Sequence, residues 1–371
     1  MKAEPLFYND TVSIIYEACT ACYNNTKPLT YEEKKEYISK RINAGHSSIL
    51  EHGFVSMLIT EVKPKEIECL TQLIGPGRYL NIFISQLEDD TYSIMIGGSI
   101  RAYRHLIENI DNFENEIFTH IMHILRQTTV KEFYPEYCPG LEYFVNIPVS
   151  MYSLNNIDQC EHAIVEDNEL FKIFDILDIE YLDNMCNKCF ENGFYPEEFY
   201  LMIPVTVLFK NMSRTATHQL VRHRNAITQE SQRYVDYTKS GFTIPDMSGY
   251  IKDYETKKFK IKLDEEEEKE MTLSELKDVL LSIYPQLVAQ GMKKEDARAF
   301  LPSNVQCGRL YMTFSLWSLT KFLELRTDSH AQSEIRKYAV GIKKCMYDYH
   351  TEWSNEIKWS KLGDVYNHND E

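Results

Sequence analysis

Residues 199–224, FYLMIPVTVLFKNMSRTATHQLVRHR, pass from an apolar run rich in Val, Ile and Phe into a polar, arginine-bearing stretch. The run 199–210 predicts a strand. A helix follows, opened by Ser213, whose hydroxyl is suited to accept a hydrogen bond from an orphan N–H of the first turn. The chain upstream has the same mixed character. LTYEEKKEYISKRINAG (29–45) predicts a helix with a capping box of Thr30 and Glu33 and a stop at Gly45. GFVSMLITEV (53–62) predicts a strand, and TYSIMIGGSIRAYRHLIENI (91–110) a strand, a turn at Gly97-Gly98 and a helix. Helices are further expected near Phe113–Glu132 and Glu180–Glu191, with loop or short strand over 134–160. Downstream, a capping box of Thr272 and Glu275 opens another helix, and two more are expected over about 305–325 and 328–350. No tandem repeat is visible.

The sequence has 371 residues, 43% of them hydrophobic and 26% charged, which suits a folded chain of two domains or one domain with an insertion. The expected location is cytoplasmic, since no signal peptide and no apolar run of membrane length is read. A net charge of −16 argues against a broad nucleic-acid surface, though a few converging arginines can still hold a small anion. The nine cysteines are expected as thiols. Cys19 with Cys22 and Cys186 with Cys189 have the spacing of zinc ligands, but both pairs lie in half-apolar helical stretches, where packing is the plainer role. The charged segment 252–271, with Asp264 to Glu268, reads as a solvated face. His46 and His52 are poorly spaced for zinc on a helix.

The densest chemistry lies in HQLVRHRNAITQESQRY (218–234). Arginine forks suit phosphate oxygens, and hydroxyl and amide groups complete a cradle for a nucleoside. On composition alone a solvated helix, salt-bridged to neighbouring acids, remains an equal reading. DARAFLPSN (296–304) adds Arg298, and KFLELRTDSHAQSEIRKYA (321–339) adds Arg326 and His330. A buried arginine there must be paired or bind an anion; Glu324 and Asp328 are the structural alternatives. No dinucleotide fingerprint, phosphate loop or nucleophile elbow is present.

Arg222-His223-Arg224 followed by Ser231-Gln232-Arg233-Tyr234 resembles the signature of flavin-dependent thymidylate synthases. GHSSILEH (45–52), DARAFLP and FLELRTDSHAQSEIR are similar, in order, to further segments of that family. The resemblance implies an α+β fold with a central, mostly antiparallel sheet flanked by helices. It implies a catalytic domain of 1–62 and 200–371, interrupted by a mixed insertion, 63–199, of unknown role. It implies conversion of dUMP to dTMP with methylenetetrahydrofolate, FAD and NADPH, in a homotetramer with shared active sites and with no metal, nucleic acid or membrane. On this resemblance dUMP is held by Gln219, Arg222, Gln229, Glu230, Ser231, Gln232, Arg233, Arg298 and Arg326. FAD is held by Ser48, Arg222, His223, Arg224, Gln229, Lys321 and His330. Arg326 is the catalytic group, a fixed positive charge against the uracil. Arg222, Arg233, Arg298 and Arg326 are expected to converge on the nucleotide, across subunits. The alternative is a flavin- or nucleotide-binding relative that has lost or altered the methyl transfer.

The sequence departs from the family pattern in three places. The span from Arg224 to Ser231 is one residue short, with Ile227-Thr228 where a Ser is common. A long insertion separates His52 from Ser213. Ser315, Trp317 and Lys321 stand where an Asn-x-Arg group and an Asn or His usually touch the flavin. IGGSIRAYRHLIEN, inside the insertion, is worded like that stretch, so Arg101 or Arg104 is a candidate replacement; an ordinary surface helix is the alternative.

Overall fold

The computed structural model describes residues 1–8, 11–23, 27–68, 70, 79–108, 116–127, 162–176, 179–240, 253, 256–262, 267–306 and 308–356. Two antiparallel sheets organise them. The first has the spatial order β1 (Lys2–Tyr8), β2 (Phe54–Val62), β4 (Tyr92–Ser99), β3 (Asn81–Gln86). The second runs β5 (His162–Asp167), β6 (Phe171–Ile176), β7 (Pro204–Lys210), β11 (Arg309–Ser315), β8 (Ala226–Gln229). A separate hairpin pairs β9 (Lys258–Lys262) with β10 (Glu268–Thr272).

Besides four-residue turns of helix at Pro64–Ile67, Tyr237–Ser240 and Lys294–Ala297, the helices are α1 (Thr11–Tyr23), α2 (Tyr31–Asn43), α3 (Ile100–Glu108), α4 (Glu116–Gln127) and α5 (Ile179–Glu191). They continue as α6 (Pro196–Tyr200), α7 (Arg214–Leu220), α8 (Leu273–Ala289), α9 (Leu316–Thr327) and α10 (Ser333–Glu356). The expected α+β class is borne out, with two sheets in place of one. Residues 63–199 contribute strands to both of them.

Local chemistry explains the element boundaries. Thr30 and Thr272 form the capping boxes read from the sequence, with Glu33 and Glu275 as partners. Ser213 caps α7, and its own backbone N–H donates to the Glu334 carboxylate at 2.6 Å, tying α7 to the start of α10. Gly45 takes the left-handed backbone (φ 89°) that follows α2.

Three expectations are corrected. Residues 309–315, expected as helix, are β11: the strand is buried on both faces, so its apolar run carries no alternation to separate it from a buried helix. Gly97 and Gly98 make no turn. They lie within β4, where a Cβ on Gly97 would collide with Met202 and one on Gly98 with Leu80, so they permit close approach of neighbouring side chains. The helix opened by Ser213 ends at Leu220 and tightens to a 3-10 turn over Val221–His223, which removes the long regular face expected for residues 218–224. The expected loop 134–160 lies outside the described residues, as do Asp264 to Glu266 and the flanks of the helix near 113–132.

The core is continuous between the sheets. Leu6, Leu58 and Met95 of the first sheet share one buried cluster with Met202, Val207 and Phe314 of the second half. A second cluster, with Ile59, Ile94, Ile96 and Tyr103, fills the far side of the first sheet. The cysteine pairs belong to this packing: burial pushes the Cys19 and Cys189 thiols up to about 12, which favours the protonated, non-ligating form.

Candidate functional site

A cavity of about 650 Å³ opens where the two sheets meet. Glu51, Tyr79, Arg101 and His105 line it from the first sheet and its helices, and Arg224, Asn225 and Ser318 from the second. The volume suits a cofactor-sized ligand. Arg101 is ion-paired with Glu51. Arg224 makes no ion pair with any described residue, so its charge is open to the cavity. It also sits in left-handed backbone (φ 54°, ψ 37°) at the end of the 3-10 turn. That conformation costs a non-glycine residue on the order of 1 kcal/mol and aims consecutive side chains apart. Asn225 anchors the wall: its amide donates to the His223 carbonyl at 3.0 Å and accepts from the Ser318 hydroxyl at 2.9 Å.

A buried polar chain ties the 3-10 turn before β2 to the second sheet. The His52 ring bonds Thr313 through Nδ1 at 2.9 Å and Thr228 through Nε2 at 2.8 Å, and Thr313 meets Thr206 at 2.8 Å. The ring is fully buried, and desolvation pushes its pKa down to about 3, so it is a neutral structural histidine.

The motif residues fall into groups. Arg326 donates from Nε to His223 Nε2 at 3.1 Å and from Nη1 to Gln219 Oε1 at 3.4 Å, and the Gln219 amide donates to Gln332 at 3.2 Å. His223 is held below its ordinary pKa, first by burial and then by the Arg326 charge, so it stays an acceptor at neutral pH. Its ring stands edge-on to Phe322 at 5.1 Å. Arg326 is thus oriented by neutral acceptors and makes no ion pair with a described carboxylate.

A second group gathers on Glu295. Arg233 reaches its carboxylate at 3.1 Å, and Arg298 donates from Nε to its carbonyl at 3.1 Å. The Arg233 backbone N–H also donates to Ser231 Oγ at 3.2 Å. Gln232 and Glu230 are buried. The Glu230 carboxyl is raised above its ordinary pKa by burial and accepts from the Tyr237 hydroxyl. Ser48 and Gln229 share a smaller cavity, about 130 Å³, with Arg41 and His46.

Within one chain, Arg222, Arg233, Arg298 and Arg326 line neither cavity. Arg222 is exposed on the 3-10 turn. His330 is exposed and bonds Asp328 at 2.8 Å. Lys321 pairs with Glu324 at 2.8 Å and lies 4.7 Å from the Trp317 ring, outside the lining of the larger cavity. Of the two replacement candidates, Arg101 lines that cavity, whereas Arg104 pairs with Glu108 at 2.7 Å. Sequence reading missed Tyr79, His105, Asn225 and Ser318. Asn225 and His105 lie inside stretches singled out above for their arginines, and Tyr79 and Ser318 lie in none; only the strand order brings the four together.

Gly308 supplies a local test. It lies at φ 23°, and a Cβ there would collide with the Glu230 carboxylate held by Tyr237. Gly308→Ala is expected to destabilise the fold by roughly 1–3 kcal/mol, as overpacking of a buried polar group does. Denaturant titration reads this directly, and an unchanged midpoint would show that Glu230 is free to move.

Residues 183–350 match the family described as thymidylate synthase complementing protein. The chain is 34% identical over 165 residues to the flavin-dependent thymidylate synthase of Pyrococcus furiosus, covering 43% of this chain and 60% of that one. It is 33% identical over 155 residues to the enzyme of the same name from Thermosipho africanus, covering 40% and 65%. A shorter match, 43% over 84 residues, is to that of Thermotoga neapolitana, covering 22% and 38%. The chain therefore spans under two thirds of the length of these relatives. Over the matched residues, the resemblance carried by the RHR, SQRY, ARAFLP and LRTDSHAQSEIR segments is borne out.

Proposed function

We propose that this chain is a flavin-dependent thymidylate synthase, converting dUMP to dTMP with methylenetetrahydrofolate as carbon donor and NADPH as reductant of its FAD. The observation that carries the reading is the network of Gln219, His223, Arg326 and Gln332, which unites two separated family segments around one guanidinium held by neutral acceptors. A carboxylate partner would cancel that charge. Without one, Arg326 can stabilise negative charge developing on a uracil ring and make its carbon five a better nucleophile. Arg222, Arg233 and Arg298, with Gln219, Gln229, Glu230, Ser231 and Gln232, supply the phosphate and nucleoside contacts.

The larger cavity fits a flavin nucleotide in volume and in charge, with Arg224 uncompensated and Arg101 nearby. FAD bound there supplies the hydride, while the protein contributes orientation and electrostatics. Ser48, Arg222, His223, Gln229, Lys321 and His330 complete the cofactor contacts where copies of the chain meet, in a cytoplasmic homotetramer. In this reading residues 1–62 and 200–371 form the catalytic unit, and residues 63–199 lend it Tyr79, Arg101 and His105 at the cavity.

The test is a chromatographic assay for dTMP with the purified full chain, dUMP, methylenetetrahydrofolate, NADPH and FAD, omitting one component at a time. Formation of dTMP that requires all four supports the reading. A yellow, flavin-loaded protein that forms none would point instead to a relative with altered chemistry.

A further inference from the structure

The two sheets are built on one plan. The order β1-β2-β4-β3 of the first recurs as β6-β7-β11-β8 in the second, with β5 added outside β6. The registers agree over the paired centres of the sheets, apart from irregularities at Pro5/Phe7 and Ile59/Val62 that the corresponding pairs of the second sheet lack. Phe54 pairs with Ser99 as Pro204 pairs with Ser315, and Asn81 pairs with Gly97 as Ala226 pairs with Thr313. One inner strand of each sheet runs without a loop into a helix, β4 into α3 and β11 into α9. Ser99 Oγ accepts from Ala102 N at 3.3 Å, and Ser315 Oγ from Ser318 N at 3.2 Å. Ile100 N donates to Gly53 O at 2.9 Å, and Leu316 N to Ile203 O at 2.8 Å.

At the ends of β2 and β7 the chain takes left-handed backbone at equivalent residues, Glu61 (φ 57°) and Asn211 (φ 56°). Even the cysteine pairs correspond. Counted from Phe7 and Phe174, which sit opposite Ser56 and Thr206, Cys19 and Cys22 of α1 fall on Cys186 and Cys189 of α5. Sheet order alone could recur by chance in antiparallel folds. Shared registers, caps, left-handed residues and cysteine positions together do not have that excuse.

We propose that the chain is an internal duplication, residues 1–127 and 162–356, folded about a pseudo-twofold axis, and that the cavity on that axis is a single composite site for a phosphate-bearing nucleotide, held by Arg101 and His105 of the first copy and Arg224 of the second. The cavity straddles the axis, for its lining includes the equivalent pairs Ser99 and Ser315, Ala102 and Ser318, and Tyr79 and Arg224. A symmetric cavity would offer two equal sites. Here the copies have diverged in charge. Where the first copy has Arg101 and His105, the second has Trp317 and Lys321, which lie against each other with Lys321 paired to Glu324. Where the second copy has Arg224, the first has Tyr79. Only one orientation across the axis therefore presents two guanidinium groups to one ligand; Glu51, the one carboxylate among the described lining residues, is paired with Arg101. Two cations on opposite walls can share a phosphate or pyrophosphate, each at charge-assisted strength. The duplication thus brings together within one polypeptide cations that a single copy would leave apart. Only the identity of the ligand as a flavin nucleotide rests on the function proposed above.

Calorimetric titration of the full chain with FAD tests this, beside Arg101→Ala, Arg101→Lys and Arg104→Ala. Arg104 is the control, since it lies on the same helix and outside the cavity. One FAD per chain is expected, with affinity falling at least tenfold in Arg101→Ala, partly recovering in Arg101→Lys and unchanged in Arg104→Ala. Riboflavin, which lacks phosphate, is expected to bind wild type and Arg101→Ala alike. Two FAD per chain, or equal FAD affinity in wild type and Arg101→Ala, would overturn the composite site even if dTMP is formed. Arg101-dependent binding without dTMP formation would leave the site standing and remove the proposed reaction. If wild type binds neither FAD, FMN nor inorganic pyrophosphate, the site is refuted.

Discussion

Arg326→Ala is expected to lower the rate of dTMP formation by on the order of 10²–10³, the usual cost of removing one preorganised group that stabilises developing charge. The structure sharpens what should accompany the loss. Arg326 is held by His223 Nε2 and Gln219 Oε1, so its removal breaks no ion pair and leaves the fold with little to lose. Thermal stability should therefore stay near wild type while activity collapses. Arg326→Lys keeps a cation but cannot span both acceptors, and is expected to recover only a small part of the rate. The same geometry sets an acid limit. The folded-state pKa of His223 is depressed, so the ring is a neutral acceptor above that value. As pH falls through it, protonation removes the acceptor and sets two positive charges side by side, so activity should hold through the ordinary histidine value of about 6.5 and drop only at lower pH. A rate for Arg326→Ala within tenfold of wild type would remove this residue from the reaction.

Replacement of His52 is expected to have the largest effect on stability. Its ring joins β8 and β11 to the turn before β2 through Thr228 and Thr313, in a fully buried setting. His52→Ala would leave two buried hydroxyls short of a partner and open a void, at a cost of roughly 3–5 kcal/mol. The pH dependence is distinctive. The folded pKa, about 3, lies below the unfolded value, so the unfolded chain takes up a proton that the folded ring refuses. The stabilisation is complete above the unfolded pKa of about 6.5 and is lost as pH falls towards 3, at up to about 1.4 kcal/mol per pH unit. His52→Gln keeps a donor and an acceptor without titrating, so its unfolding free energy should fall less steeply between pH 6 and pH 4. Parallel slopes in urea titrations of the two proteins would mean that the ring charges in place.

The duplicated plan gives the insertion a physical meaning. Residues 63–199 include β3, β4 and α3 of one sheet and β5, β6 and α5 of the other, so they supply structure to both halves of the fold. Arg101 reaches the cavity because β4 runs straight into α3, and that passage depends on Gly97 and Gly98 leaving room for Met202 and Leu80.

Much of this was legible in the chain itself. The capping boxes at Thr30 and Thr272, the serine cap at position 213 and the strand at 54–62 follow from chemistry within a few residues, and the structure contains each of them. The ordered segments around Arg222, Arg233, Arg298 and Arg326 carried the family resemblance for the same reason, since a motif is local. β11 was illegible because a strand covered on both faces loses the alternation that marks strands. The pseudo-twofold plan was invisible because strand register and backbone hydrogen bonds constrain geometry, and geometry tolerates nearly any apolar residue at a buried position. Two copies could thus drift apart in sequence, to Arg101 against Trp317 and Tyr79 against Arg224, while the central pairings of their ladders kept the same register. Tertiary structure alone decided which of those side chains share a cavity.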